Sequence, residues 1–226
     1  MFEKPVEAVL FDMDGLLIGT EAVYLQAMQA AARSMGTEMP LAFCHSMIGI
    51  PSRECRVMIQ NFYGPAFRLD LFDEGVDAHV HAVLDAHMPV KPGAVEILDF
   101  LVGRGLPLAV ATSSSRRTTE RHLGKAGLLD RFRAIATRND VERGKPHPDL
   151  YLEAARRLGV VPQHCIAFED SNNGLTAAHA AGTMAIMVPD ILPPTPEVRA
   201  KCVTVLPDLH AALSLLREAL SVAPSC

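Results

Sequence analysis

The segment Val6-Glu7-Ala8-Val9-Leu10-Phe11-Asp12-Met13-Asp14-Gly15 joins a short apolar run to an acidic turn. An apolar run of this length, stopped by Asp and Gly, predicts a buried parallel strand that ends in a loop. Similar runs follow at 106–111, 133–136, 164–168, 183–188 and 202–206, and helical patterns lie between them at about 94–104, 116–126, 148–158, 174–181 and 208–220. This alternation predicts an α/β fold built on a doubly wound, mostly parallel, Rossmann-like sheet.

The alternation is interrupted once, by a long helical segment. Residues 21–88 have helical periodicity and almost no strand pattern, with breaks at Gly36, Met39-Pro40, Gly49-Ile50-Pro51 and Gly64-Pro65. The sequence therefore predicts a core domain of residues 1–18 and 90–226 and an inserted all-helical cap domain of residues 19–89. Since the insertion follows the first strand, we expect it over the carboxyl edge of the sheet, where open α/β sheets bind ligands.

Composition and charge exclude several classes of protein. The 226 residues are 49% hydrophobic and 21% charged, which is typical of a globular protein. The net charge of −5 argues against a general electrostatic affinity for nucleic acid or anionic membranes. The N-terminal sequence lacks the layout of a signal peptide, and no apolar run approaches the ~18 residues of a membrane span. Five scattered cysteines without a C-x-x-C pair fit neither a disulfide framework nor a zinc site, so we expect a cytoplasmic location.

Two acidic motifs follow apolar runs. Asp12 and Asp14 come at the end of the first strand, where two carboxylates can point into one crevice and need a cation to offset their repulsion. Glu169 and Asp170 follow another predicted strand. Each motif alone has an ordinary structural explanation, an Asx turn for the first and a helix N-terminus for the second. Together they predict an oxygen-rich site for Mg²⁺.

Two further motifs supply hydrogen-bond donors and positive charge. Thr112 and Ser113 end a strand and precede a helix, so their hydroxyl and backbone N–H groups could bind an anion, although a plain helix cap is the commoner outcome. Lys145 lies on a proline-bracketed turn, Gly144-Lys145-Pro146-His147-Pro148, although an isolated lysine is most often a solvated surface charge.

In this order, the four motifs resemble those of the haloacid dehalogenase-like phosphohydrolase superfamily, and the resemblance covers nearly the whole chain. The first motif is Phe11–Leu17 with Thr20-Glu21, the second is Thr112, the third is Lys145, and the fourth is Phe168–Ser171 with Gly174. A helical insertion between the first and second motifs resembles subfamily I, the branch of pseudouridine-5'-phosphatase and beta-phosphoglucomutase-like enzymes. Gly19 departs from the pattern, since many relatives carry an acidic residue there. This departure affects the expected opening and closing of the cap and not the chemical groups of the four motifs.

The resemblance implies a two-step phosphoryl transfer with an aspartyl-phosphate intermediate. Asp12 would be the nucleophile, and Asp14 would protonate the leaving alcohol and then activate water. The Asp12 carboxylate, the Asp14 carbonyl and Asp170 would hold Mg²⁺, with Glu169 as a direct or outer-shell contributor. The phosphoryl oxygens would be bound by Lys145, Thr112 and the backbone of Ser113.

We expect a Mg²⁺-dependent phosphatase of a small phosphomonoester, such as a sugar, polyol or nucleoside phosphate. Asp14 argues against a dehalogenase, and the absence of lysine from 21–88 argues against a phosphonate hydrolase that needs a Schiff base. A beta-phosphoglucomutase-like phosphomutase shares the site, but Tyr24 stands where such mutases carry a histidine. A catalytically silent phosphate-binding protein would be expected to have lost Asp12 or Asp14, and both are present.

In the insertion, Arg53 is a candidate contact to a substrate anion, although a solvated charge is the commoner outcome for an arginine on a helix. His79, His81 and His87 resemble a metal cluster, but a solvated helix face explains them better. The expected partner is a small-molecule phosphate ester, without nucleic acid or membrane, and the expected state is a monomer or weak dimer.

Overall fold

The computed structural model describes residues 2, 4–48, 50 and 52–221, apart from the side chains of Ser52 and Ser221. Two compact units divide the chain, a core unit of Met1–Ile18 with Val90–Cys226 and a helical unit of Gly19–Pro89. Gly49 and Pro51, two of the breaks predicted in the insertion, lie outside the described residues. Among the described residues, every helix is too short or too polar to span a bilayer.

The core unit contains all six predicted strands, and they form one parallel sheet. The strands are β1 (Ala8–Phe11), β2 (Leu108–Ala111), β3 (Ala134–Ala136), β4 (Cys165–Glu169), β5 (Met184–Met187) and β6 (Thr204–Val205). Their order across the sheet is β3-β2-β1-β4-β5-β6. Several strands are shorter than the apolar runs that predicted them; β2, for example, begins after Pro107, which has no N–H to donate to a neighbouring strand. The predicted α/β class is confirmed.

The regular elements in the described part of the helical unit are all α-helices. They are α1 (Thr20–Ser34), α2 (Leu41–His45), α3 (Ser52–Tyr63) and α4 (Leu69–Ala86). The longest two, α1 and α4, pack on each other. At Gly75 of α4 an added Cβ would lie 3.2 Å from the Ala31 Cβ of α1, so small residues at this crossing allow the two backbones to approach closely.

Six further helices belong to the core unit in the described part of the chain. They are α5 (Ala94–Gly103), α6 (Arg116–Lys125), α7 (Asp149–Leu158), α8 (Asn172–Ala180), α9 (Pro196–Arg199) and α10 (Leu209–Ser221). Helix α8 begins two residues before the predicted start, because Ser171 accepts a hydrogen bond from the Gly174 N–H and so caps the helix. The one-turn helix α9 was not predicted.

Both faces of the central strands are buried, as continuous apolar runs require. One face carries mainly small side chains, including Ala8, Ala109 and Ala167, and these belong to the same apolar cluster as residues of α7 and α8. The opposite face carries larger groups, among them Phe11 and Phe168, whose ring centroids stack 5.3 Å apart. The small residues on the first face let α7 and α8 pack close to the sheet.

The register of β1 determines which side chains meet at the edge of the sheet. Phe11, the last residue of β1, pairs with Val110 of β2 on one side and with Phe168 of β4 on the other. The chain leaves β1 for β2 and β3 on one side and later crosses to β4 on the other, so β1 lies at the topological switch point. The residues that follow β1, β2 and β4 therefore come together at one place.

Four cysteines in the described part of the chain are free thiols: Cys44, Cys55, Cys165 and Cys202. The fifth, Cys226, lies outside the described residues.

Candidate active site

The first acidic motif begins where β1 ends. The Asp12 N–H donates to the Phe168 carbonyl at 3.0 Å, which continues the pairing with β4 and holds Asp12 in a buried position, with 6% of the residue exposed. Asp14 is half-buried, and its carboxylate accepts a hydrogen bond of 2.7 Å from the Ser114 hydroxyl. Asp12 and Asp14 therefore stand beside β4 and the end of β2, respectively.

The turn after these aspartates requires glycine. Gly15 has a φ of +86°, and its N–H donates to the Ile18 carbonyl at 2.8 Å, which closes a tight turn. A Cβ at Gly15 would lie 2.2 Å from an Asp170 carboxylate oxygen. Both the left-handed backbone and this close approach exclude a side chain, so Gly15 brings the first acidic motif against the second.

The four hydroxyl residues after β2, Thr112 to Ser115, make different contacts. Thr112 is buried, and its Oγ1 accepts a hydrogen bond of 3.0 Å from the Ser114 N–H, which uses an oxygen lone pair and not the O–H hydrogen. Ser113 is exposed. Ser115 is the N-cap of α6, since its hydroxyl accepts from the Thr118 N–H at 3.2 Å. The cap interpretation thus holds for Ser115, and the hydroxyl that reaches Asp14 belongs to Ser114.

Lys145 is not a solvated surface lysine. Only 7% of its side chain is exposed, and its ammonium group bonds to the Asp12 carboxylate and, at 2.5 Å, to Glu169 Oε1. Burial on its own would lower the pKa of Lys145, but the negative charges of Asp12 and Glu169 outweigh burial and raise it above its usual range. Lys145 is therefore a permanent positive charge between two carboxylates.

Glu169 is the last residue of β4, and its side chain is fully buried. Its Oε1 accepts hydrogen bonds from Lys145 and from the Tyr151 hydroxyl, the latter at 2.6 Å. Its Oε2 accepts from the N–H of Asp170 at 3.2 Å and from the N–H and hydroxyl of Ser171 at 3.3 and 3.1 Å. Both oxygens of this buried charge are thus supplied with donors from the chain itself.

Three carboxylates converge at this edge of the sheet. One oxygen from each of Asp12, Glu169 and Asp170 lies within 4.8 Å of the others, and all three residues are buried. Burial raises the pKa of Asp12 well above its usual range, and Lys145 only partly opposes this effect. A buried cluster of oxygen donors with excess negative charge fits a small hard cation such as Mg²⁺.

The structure brings Asp12, Lys145, Glu169 and Asp170 together in the core unit. Asp14 follows Asp12 by two residues and is bonded to Ser114. Arg53 is exposed on α3 of the helical unit. His81 and His87 are also exposed, and among the described residues the groups that could hold a metal ion do not include them.

Sequence reasoning missed two residues of the site, Ser114 and Tyr151. Ser114 was hidden in a run of four hydroxyl residues, which gives no indication of the one that reaches Asp14. Tyr151 lies in a helix whose apolar face reads as ordinary core, and the contact of its hydroxyl with Glu169 has no local sequence signal.

Comparison with known proteins gives consistent results. Residues 9–188 match the family model described as haloacid dehalogenase-like hydrolase. A phosphorylated carbohydrates phosphatase from Thermotoga maritima is 33% identical over 78% of this chain and 82% of its own. Hexitol phosphatase B from Escherichia coli K12 is 31% identical over 82% of this chain and 85% of its own. A solved structure of a Thermotoga maritima protein, provisionally assigned as a beta-phosphoglucomutase, superposes with a TM-score of 0.81 at 31% identity, covering 94% of this chain and 99% of that one.

Proposed function

Because the chain belongs to the haloacid dehalogenase-like hydrolase family and is a phosphoric monoester hydrolase, we propose that it is a Mg²⁺-dependent phosphatase acting on a small phosphomonoester through an aspartyl-phosphate. The observation that carries this proposal is the contact of the buried Lys145 ammonium with the Asp12 carboxylate at the carboxyl edge of the sheet. A buried carboxylate that is paired with a fixed positive charge can attack phosphorus while the charge of the phosphoryl group is balanced.

In the first half-reaction, a carboxylate oxygen of Asp12 attacks the phosphorus atom, and the bond to the ester oxygen breaks. Asp14 enters this step as the carboxylic acid and gives its proton to the departing alcohol oxygen, which leaves Asp14 as a carboxylate. Lys145 and the Thr112 hydroxyl, together with the Ser113 N–H, hold the phosphoryl oxygens as negative charge shifts toward the leaving group. The products of this step are the free alcohol and the aspartyl-phosphate.

In the second half-reaction, Asp14, now ionised, takes a proton from a water molecule that attacks the same phosphorus. The bond to Asp12 breaks, which regenerates the carboxylate and releases phosphate. The hydrogen bond of 2.7 Å from the Ser114 hydroxyl fixes the orientation of Asp14. Asp14 thus serves first as the general acid and then as the general base, because the proton it loses in the first step is replaced by the one it takes from water in the second.

The residues that would hold Mg²⁺ are Asp12, Asp170 and the backbone carbonyl of Asp14. Glu169 would contribute its negative charge without binding the ion directly, because both of its oxygens already accept hydrogen bonds from the chain. When bound, Mg²⁺ offsets the repulsion between the anionic nucleophile and the anionic ester.

The substrate class that fits best is a sugar, polyol or nucleoside phosphate. Two relatives named for phosphorylated carbohydrates and hexitols support the first two choices. We assign Arg53 of the helical unit as a candidate contact to the substrate. A cytoplasmic location and a monomer or weak dimer remain predictions from the sequence.

A phosphomutase is the second candidate, favoured by the likeness to the structure provisionally assigned as a beta-phosphoglucomutase. Such an enzyme would form the same aspartyl-phosphate but would keep water away until a sugar phosphate accepts the phosphoryl group.

The deciding experiment measures phosphate release from a panel of sugar, polyol and nucleoside monophosphates with and without Mg²⁺, for the wild type and Asp12→Asn. We expect release that needs Mg²⁺ and is lost in the variant. Interconversion of hexose phosphates without phosphate release would establish the mutase instead. No turnover in either assay would contradict both proposals and leave a phosphate-binding protein.

A further inference from the structure

Tyr151 lies in α7, and its hydroxyl bonds to the Glu169 oxygen that the N–H groups of Asp170 and Ser171 do not reach. It is among the largest fully buried side chains of the described chain, and its hydroxyl donates to Glu169 Oε1 at 2.6 Å. The Lys145 ammonium lies 5.3 Å from the centroid of its ring. Tyr151 therefore contacts both residues that flank the proposed nucleophile, although it has no direct role in the two half-reactions.

The Lys145 ammonium has three N–H donors and bonds at the same time to the Asp12 carboxylate and to Glu169 Oε1, so its position depends on the attraction of both. Glu169 is the more deeply buried of the two carboxylates, with a fully enclosed side chain against 8% exposure for that of Asp12. A fully buried carboxylate cannot accept hydrogen bonds from water, so Glu169 depends more than Asp12 on donors from the protein. Without another donor at Oε1, the ammonium would be drawn from Asp12 toward Glu169.

The Tyr151 hydroxyl is suited to keep the Lys145 ammonium from moving toward Glu169. A phenol ordinarily loses its proton only near pH ~10, so toward this carboxylate the Tyr151 hydroxyl can only be a donor. A neutral donor stabilises the charge on Glu169 without adding a second positive charge to the site.

We propose that Tyr151 is a positioning residue for the phosphoryl transfer: by supplying Glu169 Oε1 with its own donor, its hydroxyl keeps the Lys145 ammonium shared with Asp12. This inference rests on the proposed function, because it concerns the lysine that acts beside the nucleophile. It assigns the hydroxyl, rather than the bulk of the ring, as the feature that matters for turnover.

The test is Tyr151→Phe, which removes the hydroxyl and keeps the ring against Lys145. The attack by Asp12 should slow, because Lys145 loses part of its contact with that carboxylate, whereas the remaining phosphate donors should bind substrate as before. At saturating Mg²⁺ we expect kcat to fall about 10- to 100-fold, the usual effect of removing an orienting partner, with KM changed by no more than about twofold.

A matched control is Tyr63→Phe in the helical unit, which removes a hydroxyl that donates to the Glu38 carbonyl at 2.7 Å. Its kcat should equal that of the wild type. Far-UV circular dichroism measures the folded fraction of each protein, and rates are expressed per folded site. A loss of folded protein in the Tyr151 variant therefore does not enter the comparison. Acid-quenched phosphoenzyme, formed in a single turnover of the wild type, tests the proposed intermediate.

The outcomes separate the two proposals. A wild type that forms no phosphoenzyme and releases no phosphate would contradict the proposed function itself. An active wild type with an unchanged kcat per site in Tyr151→Phe would overturn the positioning role alone. A rise in KM at constant kcat would also overturn it, because the hydroxyl would then act on substrate binding.

Discussion

At Gly174 the site leaves no room for a side chain. A Cβ on this residue would lie 1.9 Å from Glu169 Oε1 and 2.0 Å from Glu169 Cδ. Glycine is a poor helix former, and yet Gly174 belongs to the first turn of α8. Its presence is explained by the buried carboxylate beside it, whose oxygens are held by five hydrogen bonds and cannot move aside easily.

We predict that Gly174→Ala destabilises the protein by about 2 kcal/mol, the usual range for an overpacked site, and lowers kcat by displacing Glu169. The control is Gly124→Ala in α6, where an added Cβ meets no atom within 4 Å. That substitution should stabilise by about 0.5–1 kcal/mol, because alanine favours the helix. Urea denaturation and kcat check both variants. If Gly174→Ala and Gly124→Ala changed the free energy of unfolding and kcat equally, steric exclusion by Glu169 would not explain why residue 174 is glycine.

At the scale of elements, an ionic network joins the end of β3 to α6 and α7. The Asp140 carboxylate accepts hydrogen bonds from Arg116 at 2.9 Å, from Arg157 at 2.7 Å, and from both the N–H and the hydroxyl of Thr137 at 2.7 Å. Burial on its own would raise the pKa of Asp140, but the hydrogen bonds from Thr137 and Arg157 outweigh it and hold this pKa well below the usual range. The network holds together the elements that surround the serine run after β2.

This network predicts a pH-dependent stability. A carboxyl group whose pKa is lowered by folding stabilises the protein above its unfolded pKa of ~3.9 and loses that contribution as the pH falls toward the lower folded value. Asp140→Asn should therefore reduce the free energy of unfolding by about 1.5–3 kcal/mol at pH 7, and the difference from the wild type should shrink below about pH 4.

Urea denaturation at pH 7, 5 and 3.5 measures this difference. The control is Asp70→Asn, which removes the partner of Arg68 in an exposed pair. It should change stability much less, because solvent screens exposed ion pairs. A difference between Asp140→Asn and the wild type that stays constant from pH 7 to 3.5 would contradict the assigned role of the charge.

For the whole molecule, the carboxylate cluster predicts that Mg²⁺ stabilises the fold. A ligand that binds only the folded state adds about 2.7 kcal/mol at a concentration one hundred times its Kd. We expect MgCl₂ to raise the Tm of the wild type and to have little effect on Asp170→Asn, which removes one charge from the cluster. Differential scanning calorimetry checks this without any substrate. A Tm that rises equally in both proteins would place the stabilising ion elsewhere.

The free thiols report on unfolding of the two units separately. Cys165, in β4 of the core unit, and Cys44, in α2 of the helical unit, are fully buried, and burial raises the pKa of Cys165 to about 12. In a Cys226→Ser background, native protein should be alkylated at Cys55 and Cys202, which are half-buried, and not at Cys165 or Cys44.

Mass spectrometry after timed alkylation measures the four rates. In rising urea, each buried thiol should become reactive only when its own unit unfolds. Labelling of Cys165 in native protein as fast as that of Cys55 would show that the central strand opens locally.

Local sequence patterns predicted the strands and most helices of the core and the helical nature of the insertion, and they indicated most of the candidate residues at the site. These follow from local patterns, since the period of apolar residues depends on the element and a polar residue directly after a buried strand must lie at the sheet edge. Asp12, Thr112, Glu169 and Asp170 were candidates for that reason, and Lys145 was a candidate because its turn resembles a family motif.

The order of the strands, the burial of Lys145 and the partners of each carboxylate depend on the tertiary fold and could not be predicted from local patterns. Strand order depends on which apolar faces pack together, and contacts such as Ser114 with Asp14 and Tyr151 with Glu169 join residues 100 and 18 positions apart. A hydroxyl in the sequence has the same local appearance whether it caps a helix, faces water or donates to a buried carboxylate. Its neighbours in space, which follow from the packing of α7 and the serine run against the sheet, determine which of these it does.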